Sequence, residues 1–377
     1  MKKVIKTKLY KEFRCIADQC SFSCCEGWDI NVDEDTYHKW NNEQGPFSKL
    51  CKNIYKEKEE EETVYKIRMG KELHCPFLDE HKLCNIIKDY GDDYLSNTCK
   101  SFPRIENDME DAIEYSVSCA CPAVVDMIYS RKEKIELPHT IINRFNDKKL
   151  LTYKIRQHML YLIEAKRFNL QERILLIFSM LLSLTEESSE IEAILEKYKE
   201  ESYLILLLGV IKDTEISRED SFIEKNELFL DITEDYKKEF HYQPYLEDIA
   251  RLAEDIDYSG KTLFDWRNYE KFSMEYEELF GACLAYKIYS NCIDEDVEDI
   301  IMSYQLIVTE YIMVNYSVFL KWLLNKKKRI PYEEVRNLIV TYSRIIGYNL
   351  EGMTMFWEDS FDDAIWEFGY AVALLKD

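Results

Sequence analysis

The organisation of this chain is decided by the stretch Phe13-Arg-Cys-Ile-Ala-Asp-Gln-Cys-Ser-Phe-Ser-Cys-Cys-Glu-Gly-Trp28. Further thiols follow it in the first third of the sequence, whereas the rest of the chain contains only Cys283 and Cys292. A thiolate is a soft, charged ligand, and several thiolates that converge select zinc, copper(I) or an iron–sulfur cluster. The spacing therefore predicts a cysteine-ligated metal centre at one end of the protein.

The cysteines of this region form three blocks. The blocks contain Cys15, Cys20, Cys24 and Cys25, then Cys75, Cys84 and Cys99, and finally Cys119 and Cys121. Ligands from separate blocks meet only if the chain folds back, so metal binding would be part of the folding free energy of this half. A four-cysteine site suits structural zinc and an iron–sulfur cluster alike. Because Cys24 and Cys25 are adjacent, the sequence is compatible with one metal centre or with two.

Three further cysteines lie outside the blocks: Cys51, Cys283 and Cys292. Buried cysteine behaves as a small hydrophobic residue, and this is the role that we expect for these three. Of the histidines, His74 lies beside Cys75, where ordinary usage favours a surface or supporting position over a ligand.

Length, charge and hydropathy limit the classes of protein. With 377 residues and a net charge of −23, the chain is long enough for two domains and repels nucleic acid phosphates. No apolar stretch approaches the roughly 20 residues that span a bilayer, so we expect no membrane insertion. The basic start has no apolar region behind it, which predicts a cytoplasmic protein in a reducing compartment, where a thiol-rich chain is typical of metal binding.

The hydrophobic periodicity predicts a mainly α fold with two domains. Residues 1–135 form a small Cys-rich metal-binding domain with short strands at Thr63–Met69 and Ile113–Ser118, a helix capped by Asp33, and helical structure over Asn85–Lys100 interrupted near Gly91. Residues 136–377 form an all-helical domain. Its predicted helices cover 149–168, 170–184, 189–211, 234–257, 273–291, 297–325, 332–346 and 352–375.

The cysteine blocks resemble the flagellin lysine-N-methylase family of bacteria. The resemblance rests on Phe13–Trp28, on Cys75-Pro-Phe-Leu-Asp79 with Leu83-Cys84 and Cys99-Lys-Ser-Phe-Pro103, and on Ser118-Cys-Ala-Cys-Pro122. The second pattern is shared with a wider CxxxCC group of iron- or zinc-chelating proteins. In the last element the chain has an extra Cys-Ala, so that either Cys119 or Cys121 is the counterpart of the single family cysteine, and Cys121 is favoured because a proline follows it. The resemblance covers residues 10–130.

The resemblance implies a protein-lysine N-methyltransferase that transfers a methyl group from S-adenosylmethionine to lysine side chains of flagellin. It implies a 4Fe-4S cluster, with zinc as the alternative metal. The ligands that it carries over are drawn from Cys15, Cys20, Cys24, Cys25, Cys75, Cys84, Cys99 and Cys121. The alternatives are a non-enzymatic iron- or zinc-chelating or scaffold protein and a structural zinc domain that binds a partner. A helical half of this length speaks against a bare chelator.

Lysine methylation sets a chemical demand, because the nucleophile is the neutral amine and free lysine has a pKa of about 10.4. The site must lower that pKa or remove the proton. The chain has no G-x-G pair, so the glycine-rich loop of a Rossmann-type nucleotide site is missing. The Cys-x3-Cys-x2-Cys triplet of radical S-adenosylmethionine enzymes is missing too, because Cys20 and Cys24 lack the third member. A methyl donor would therefore bind at a non-standard site.

Overall fold

The structure is a computed structural model. It describes residues 2–28, 30–42, 50–59, 62–70, 73–109, 112–131, 147–186 and 191–376. The predicted domain boundary at residues 135/136 lies outside the described residues and stays a prediction.

Short strands and short helices build the first part of the chain. The strands are β1 (Lys3–Lys6), β2 (Asn31–Val32), β3 (Ile54–Glu59), β4 (Glu62–Ile67), β5 (Arg104–Met109) and β6 (Ala112–Val117). The helices are α1 (Lys8–Glu12), α2 (Glu34–Asn42), α3 (Asn85–Tyr90), α4 (Asn97–Ser101) and α5 (Pro122–Ser130). One sheet has the order β1-β6-β5, with β1 parallel and β5 antiparallel to β6. The other is antiparallel with the order β2-β4-β3.

The predicted elements of this part are confirmed. The two expected strands are β4 and β6, and α3 and α4 are separated after Gly91 as predicted. Asp33 caps α2 by accepting a hydrogen bond from the backbone N–H of Thr36 at 3.0 Å. Its second carboxylate oxygen accepts the N–H of Asn97 at 2.8 Å, so the same side chain also fixes the start of α4. The sequence did not predict β1, β3 and β5.

Helices make up the second part. They are α6 (Asp147–Ile163), α7 (Leu170–Glu186), α8 (Ile191–Lys197), α9 (Glu201–Lys212), α10 (Arg218–Asp235), α11 (Tyr242–Tyr245), α12 (Glu247–Glu254), α13 (Gly260–Ser273), α14 (Glu277–Asn291), α15 (Val297–Leu324), α16 (Tyr332–Ile345), α17 (Leu350–Phe361) and α18 (Phe368–Leu375). The mainly α fold class is therefore confirmed.

Several predicted helix bounds are wrong. The single helix expected over 234–257 is replaced by α11 and α12. Helix α10 begins after Ser217, whose hydroxyl accepts the N–H of Asp220, and it ends at Asp235. The helix expected over 189–211 is divided into α8 and α9. The one expected over 352–375 is divided into α17 and α18, because Asp362 adopts a left-handed conformation with φ 59°. Helix α13 was not predicted.

Helix α15 is the centre of the core. Among the described residues it alone is long and apolar enough to cross a membrane, but 83% of its most apolar window is buried inside the protein. It packs against α7, α14 and α16. The core around it extends without a break to Leu9, Phe13 and Phe22 of the first part. The two parts of the chain therefore share this core, while the residues around Trp40 form a separate, smaller core in the first part.

A buried ion pair joins the first sheet to the helices. Arg156 of α6 and Glu114 of β6 are both 1% exposed, and the guanidinium Nη2 lies 2.9 Å from the Glu114 carboxylate. Its Nη1 also donates to the carbonyl of Tyr289 in α14 at 3.0 Å. Removing one member of a buried pair leaves the other charge uncompensated in a low dielectric.

We expect Arg156→Ala to destabilise the protein by about 3–5 kcal/mol, because Glu114 would be left buried and unpaired. Arg251→Ala is the matched control, since Arg251 pairs with Glu247 at an exposed position one helical turn away, and such pairs contribute about 0–1 kcal/mol. Urea unfolding followed by circular dichroism measures both. Equal midpoints for the two variants would contradict this account of the junction.

Candidate metal centre

The first cysteine block forms an irregular loop between α1 and β2. Cys15 is exposed at its start, and the Cys20 thiol donates to the carbonyl of Phe22 at 3.0 Å. The hydroxyl of Ser23 accepts the N–H of Cys25, and the indole of Trp28 donates to the carbonyl of Cys24 at 2.9 Å. These local hydrogen bonds fix the conformation of the loop, whose one helical turn among the described residues is a 3-10 turn at Ala17–Gln19.

The second block lies against the first. The backbone N–H of Cys75 donates to the carbonyl of Cys25 at 2.8 Å, and Glu26 and His74 form an isolated β-bridge next to this contact. Cys84 precedes the first turn of α3, and Cys99 lies in the first turn of α4. The fold-back that the spacing required is therefore present.

The third block brings Cys121 to the start of α5, where Pro122 occupies the first turn. Backbone N–H groups at the starts of α3 and α5 lie close to the thiols of Cys84 and Cys121, respectively, and favour their anionic form. Burial acts in the opposite direction and dominates, raising the pKa of Cys121 to about 12. A bound metal cation would reverse that penalty, because it stabilises the thiolate.

Seven of the eight predicted ligands gather around Cys24. The thiols of Cys24, Cys25 and Cys75 form a hydrogen-bonded chain, and Cys24 interacts electrostatically with the thiols of Cys20, Cys84, Cys99 and Cys121. The interaction with the Cys25 thiol raises the pKa of Cys24 well above its usual range, although Cys24 is exposed to solvent. Cys15 lies at the margin of this group, and its thiol interacts with that of Cys20.

The remaining cysteines are separate from this group. Cys51 is half-buried in the small core near Trp40, and Cys292 is fully buried among the helices, as expected. Cys283 is buried too, but its thiol hydrogen-bonds with that of Cys119 across the two parts of the chain. The Cys119 thiol therefore turns toward α14, away from the group around Cys24, whereas the Cys121 thiol interacts with that group.

A buried arginine that the sequence analysis missed lies between the first and third blocks. The side chain of Arg344 in α16 donates to the carbonyls of Ala120, Ser23 and Phe22 at 3.0, 3.1 and 3.2 Å. Its guanidinium lies over the rings of Phe22 and Trp28, 5.3 and 4.8 Å from their centroids. No local motif distinguishes this arginine from the others in the sequence.

The charge of Arg344 has no carboxylate partner within 4.0 Å among the residues that the structure describes. The acidic groups that act on it are the thiols of Cys24, Cys121 and Cys20, and then Glu26. The neighbouring His241 cannot balance it, because burial and the charge of Arg344 lower the His241 pKa to about 3 and keep the ring neutral. A buried cation surrounded by thiols fits an anionic, thiolate-ligated centre.

The site fits a metal by its donor chemistry and its charge. Across the described ranges, no three His, Cys, Asp or Glu side chains are already spaced to hold a metal ion. The thiols thus lie near Arg344 but do not form a closed ligand shell. His74 pairs with Glu26 at 3.0 Å, which agrees with a supporting position beside Cys75.

Comparison with known proteins places the helical part of the chain in a family. The model of the FliB lysine N-methylase C-terminal domain matches residues 156–374. The chain belongs to the FliB lysine N-methylase family. The matched range begins at Arg156 and includes α16 with Arg344, so the family domain contributes directly to the cysteine site.

Curated relatives of this family are similar over about a third of the chain. The flagellar biosynthetic protein FliU of Salmonella muenchen is 32% identical over 143 residues, which are 35% of this chain and 85% of that protein. The lysine-N-methylases of Salmonella typhimurium and Salmonella choleraesuis are each 31% identical over 133 residues. That segment is 34% of this chain but only 33% of each lysine-N-methylase. No solved structure matches the chain.

The cysteine loop is fixed against the helices at Gly27. This residue has φ 82°, and a Cβ added to it would lie 2.6 Å from a ring carbon of Phe240 and 2.9 Å from the His241 ring. Only glycine permits both the positive φ and this close approach.

We expect Gly27→Ala to lower the thermal midpoint far more than Gly91→Ala. Gly91 also has a positive φ, 86°, but has nothing within 4 Å of an added Cβ, so its substitution costs only backbone strain of about 1–3 kcal/mol. The difference between the two variants isolates the contact of the loop with Phe240 and His241. Calorimetry of both variants measures it, and an equal loss in both would show that the contact is unimportant.

Proposed function

We propose that this chain is a protein-lysine N-methyltransferase that transfers a methyl group from S-adenosylmethionine to lysine side chains of flagellin. The observation that carries the proposal is the match of the helical part to the FliB lysine N-methylase domain. The names of the relatives, a flagellar biosynthetic protein and lysine-N-methylases, support the flagellar substrate and the reaction.

We further propose that the thiols around Cys24 hold a 4Fe-4S cluster. The ligands would be drawn from the predicted set, with Cys20, Cys24, Cys25, Cys75, Cys84, Cys99 and Cys121 nearest to one another. All twelve cysteines are free thiols, which suits the reducing cytoplasm in which we place the protein. Zinc is the alternative metal, since four thiolates satisfy either.

A bound cluster would supply an anchoring point for the methyl donor if one iron lacked a cysteine ligand, and a scaffold if all were ligated. The chain's own residues do the rest. Arg344 fixes the loops that carry Cys24 and Cys121 by its hydrogen bonds to their neighbours. Trp28 packs edge-on against Phe102, and Phe22 packs against the Arg344 guanidinium, so aromatic rings hold the same loops. The net charge of −23 attracts a lysine-bearing protein.

The experiment is a methyl-transfer assay on anaerobically purified protein whose iron, sulfide and zinc contents have been measured. With S-adenosylmethionine and flagellin, we expect mass spectrometry to show methylated lysines. Cys24→Ser should lose metal and lower the rate by at least about tenfold, because Cys24 lies at the centre of the thiol group. Cys51→Ser is the matched control, since Cys51 lies in the same part of the chain but outside that group.

Full metal content and full activity in Cys24→Ser would contradict the proposed centre. Protein that is loaded with metal yet transfers no methyl group would contradict the enzyme and favour the chelating or scaffold alternative. Colourless protein with stoichiometric zinc would show that the site holds zinc and not an iron–sulfur cluster.

A further inference from the structure

The family domain contains a second buried ionic site, on the far side of the third cysteine block. Lys287 of α14 contacts the Glu310 carboxylate of α15, and the two side chains are 13% and 3% exposed. The Lys287 ammonium also donates to the hydroxyl of Ser343 in α16 at 2.8 Å. Three helices thus converge on one carboxylate, and one of its oxygens, Oε2, is occupied by Lys287.

The other oxygen of Glu310, Oε1, is buried and has no hydrogen-bond partner within the described part of the chain. Gly347 lets the carboxylate lie close to the backbone, since a Cβ there would lie 2.7 Å from Oε1. A buried carboxylate oxygen without a partner costs free energy, so its retention calls for an explanation.

A cavity of about 30 Å³ lies beside this pair. It has room for one or two water molecules or for a small head group of similar size. Its other walls are mostly apolar and come from α14, α15 and α16, including Phe280, Leu284, Ile307 and Ile339. A carboxylate in an apolar pocket matches the chemistry of a lysine side chain, which has an ammonium at the end of a methylene stem.

The cavity adjoins the cysteine site and the surface. Cys283 lines it and hydrogen-bonds with Cys119 of the third block. Tyr348 is 57% exposed, and its hydroxyl donates to that of Ser118 at 2.7 Å. The charges of Lys287 and Glu310 both act on the Tyr348 hydroxyl, which places it near the pair. Tyr348 is therefore a solvent-exposed residue that lies near the pair and contacts the third cysteine block.

We propose that Oε1 of Glu310 receives the ammonium of the methyl-accepting lysine in this cavity, beside the fixed ammonium of Lys287. The inference rests on the proposed function and names the place where its substrate residue binds. The cavity suits the ammonium and the methylene next to it, and the rest of the stem would lie toward Tyr348. Lys287 shows that the carboxylate already holds one lysine ammonium.

The ammonium of Lys287, beside that of the incoming lysine, helps to provide the neutral amine that methyl transfer requires. A second positive charge at short distance lowers the pKa of the incoming lysine. Burial raises the pKa of Glu310, although Lys287 opposes this, so the carboxylate is a suitable proton acceptor. The proton passes from the ammonium to Oε1, and the neutral nitrogen forms a bond to the sulfonium methyl. The carbon–sulfur bond breaks, its electron pair stays on sulfur as a thioether, and an N-methylammonium is formed.

The test compares Glu310→Gln with Glu277→Gln in two assays. Glu277 of α14 is the matched control, because its carboxylate is also paired with a buried cation, the guanidinium of Arg173. In the methyl-transfer assay, we expect Glu310→Gln to lower kcat/KM by about 10²–10⁴-fold, the range for loss of general-base catalysis. The affinity for S-adenosylmethionine, measured by calorimetry, should stay unchanged. Lys287→Met should move the pH–rate profile to higher pH, because the like charge that lowers the lysine pKa is gone.

The second assay needs no methyl donor. n-Butylamine should raise the thermal midpoint of the wild-type chain and of Glu277→Gln, n-butanol should not, and Glu310→Gln should lose the response. If Glu310→Gln does not fold, the double variant Lys287→Met/Glu310→Gln replaces it, since exchanging a whole buried pair for neutral groups is often tolerated.

The outcomes separate this inference from the proposed function. Wild-type protein that methylates flagellin, with an equal rate in Glu310→Gln and no amine response, would overturn the inference and leave the function standing. Wild-type protein that transfers no methyl group, but whose amine response depends on Glu310, would overturn the function and retain an amine site.

Discussion

The structure depends on a buried guanidinium that holds three segments together. Arg344 reaches from α16 to the backbone of the first cysteine block and of the third. Burying a charge costs several kcal/mol unless it is paired, and hydrogen bonds to carbonyl oxygens recover only a part of that cost. The nearest acidic groups are thiols. The geometry is thus best explained if those thiols are anionic in the working protein, which is their state when they bind a metal.

Helix α16 connects this centre with the second ionic site. Arg344 faces the cysteine loops, while the preceding Ser343 accepts a hydrogen bond from Lys287 in the cavity beside Glu310. The turn after the helix supplies Gly347, which makes room for the Glu310 carboxylate, and Tyr348, which contacts the third block. A few consecutive residues therefore connect the group of cysteines with the Lys287–Glu310 pair.

The sequence predicted what depends on short-range chemistry. Strand alternation located β4 and β6, the Asp33 cap located α2, and the cysteine spacing identified a group of thiols that the fold does bring together. Helix bounds failed where the apolar periodicity ran through a break, as at Asp362, or where it was weak, as in α10.

The partners of the site could not be read from the sequence, because they are distant along the chain. Arg344 and Ser23 are separated by 321 positions, and Cys283 meets Cys119 only after the helices have packed. Glu310 is one of 72 acidic residues, and its significance comes from its burial and from its unpartnered Oε1. Neither property has a local sequence signal.

The coupling between Arg344 and the bound metal tests this account most directly. The loss of unfolding free energy caused by Arg344→Gln would be measured in metal-loaded protein and in chelator-treated protein, with Arg156→Gln as a second buried arginine whose partner is Glu114. The account predicts that Arg344→Gln costs at least about 1 kcal/mol more in the loaded protein, as expected for groups in direct interaction. It also predicts that the cost of Arg156→Gln is the same in both states. An equal cost of Arg344→Gln in both states would show that Arg344 does not balance a thiolate-ligated centre.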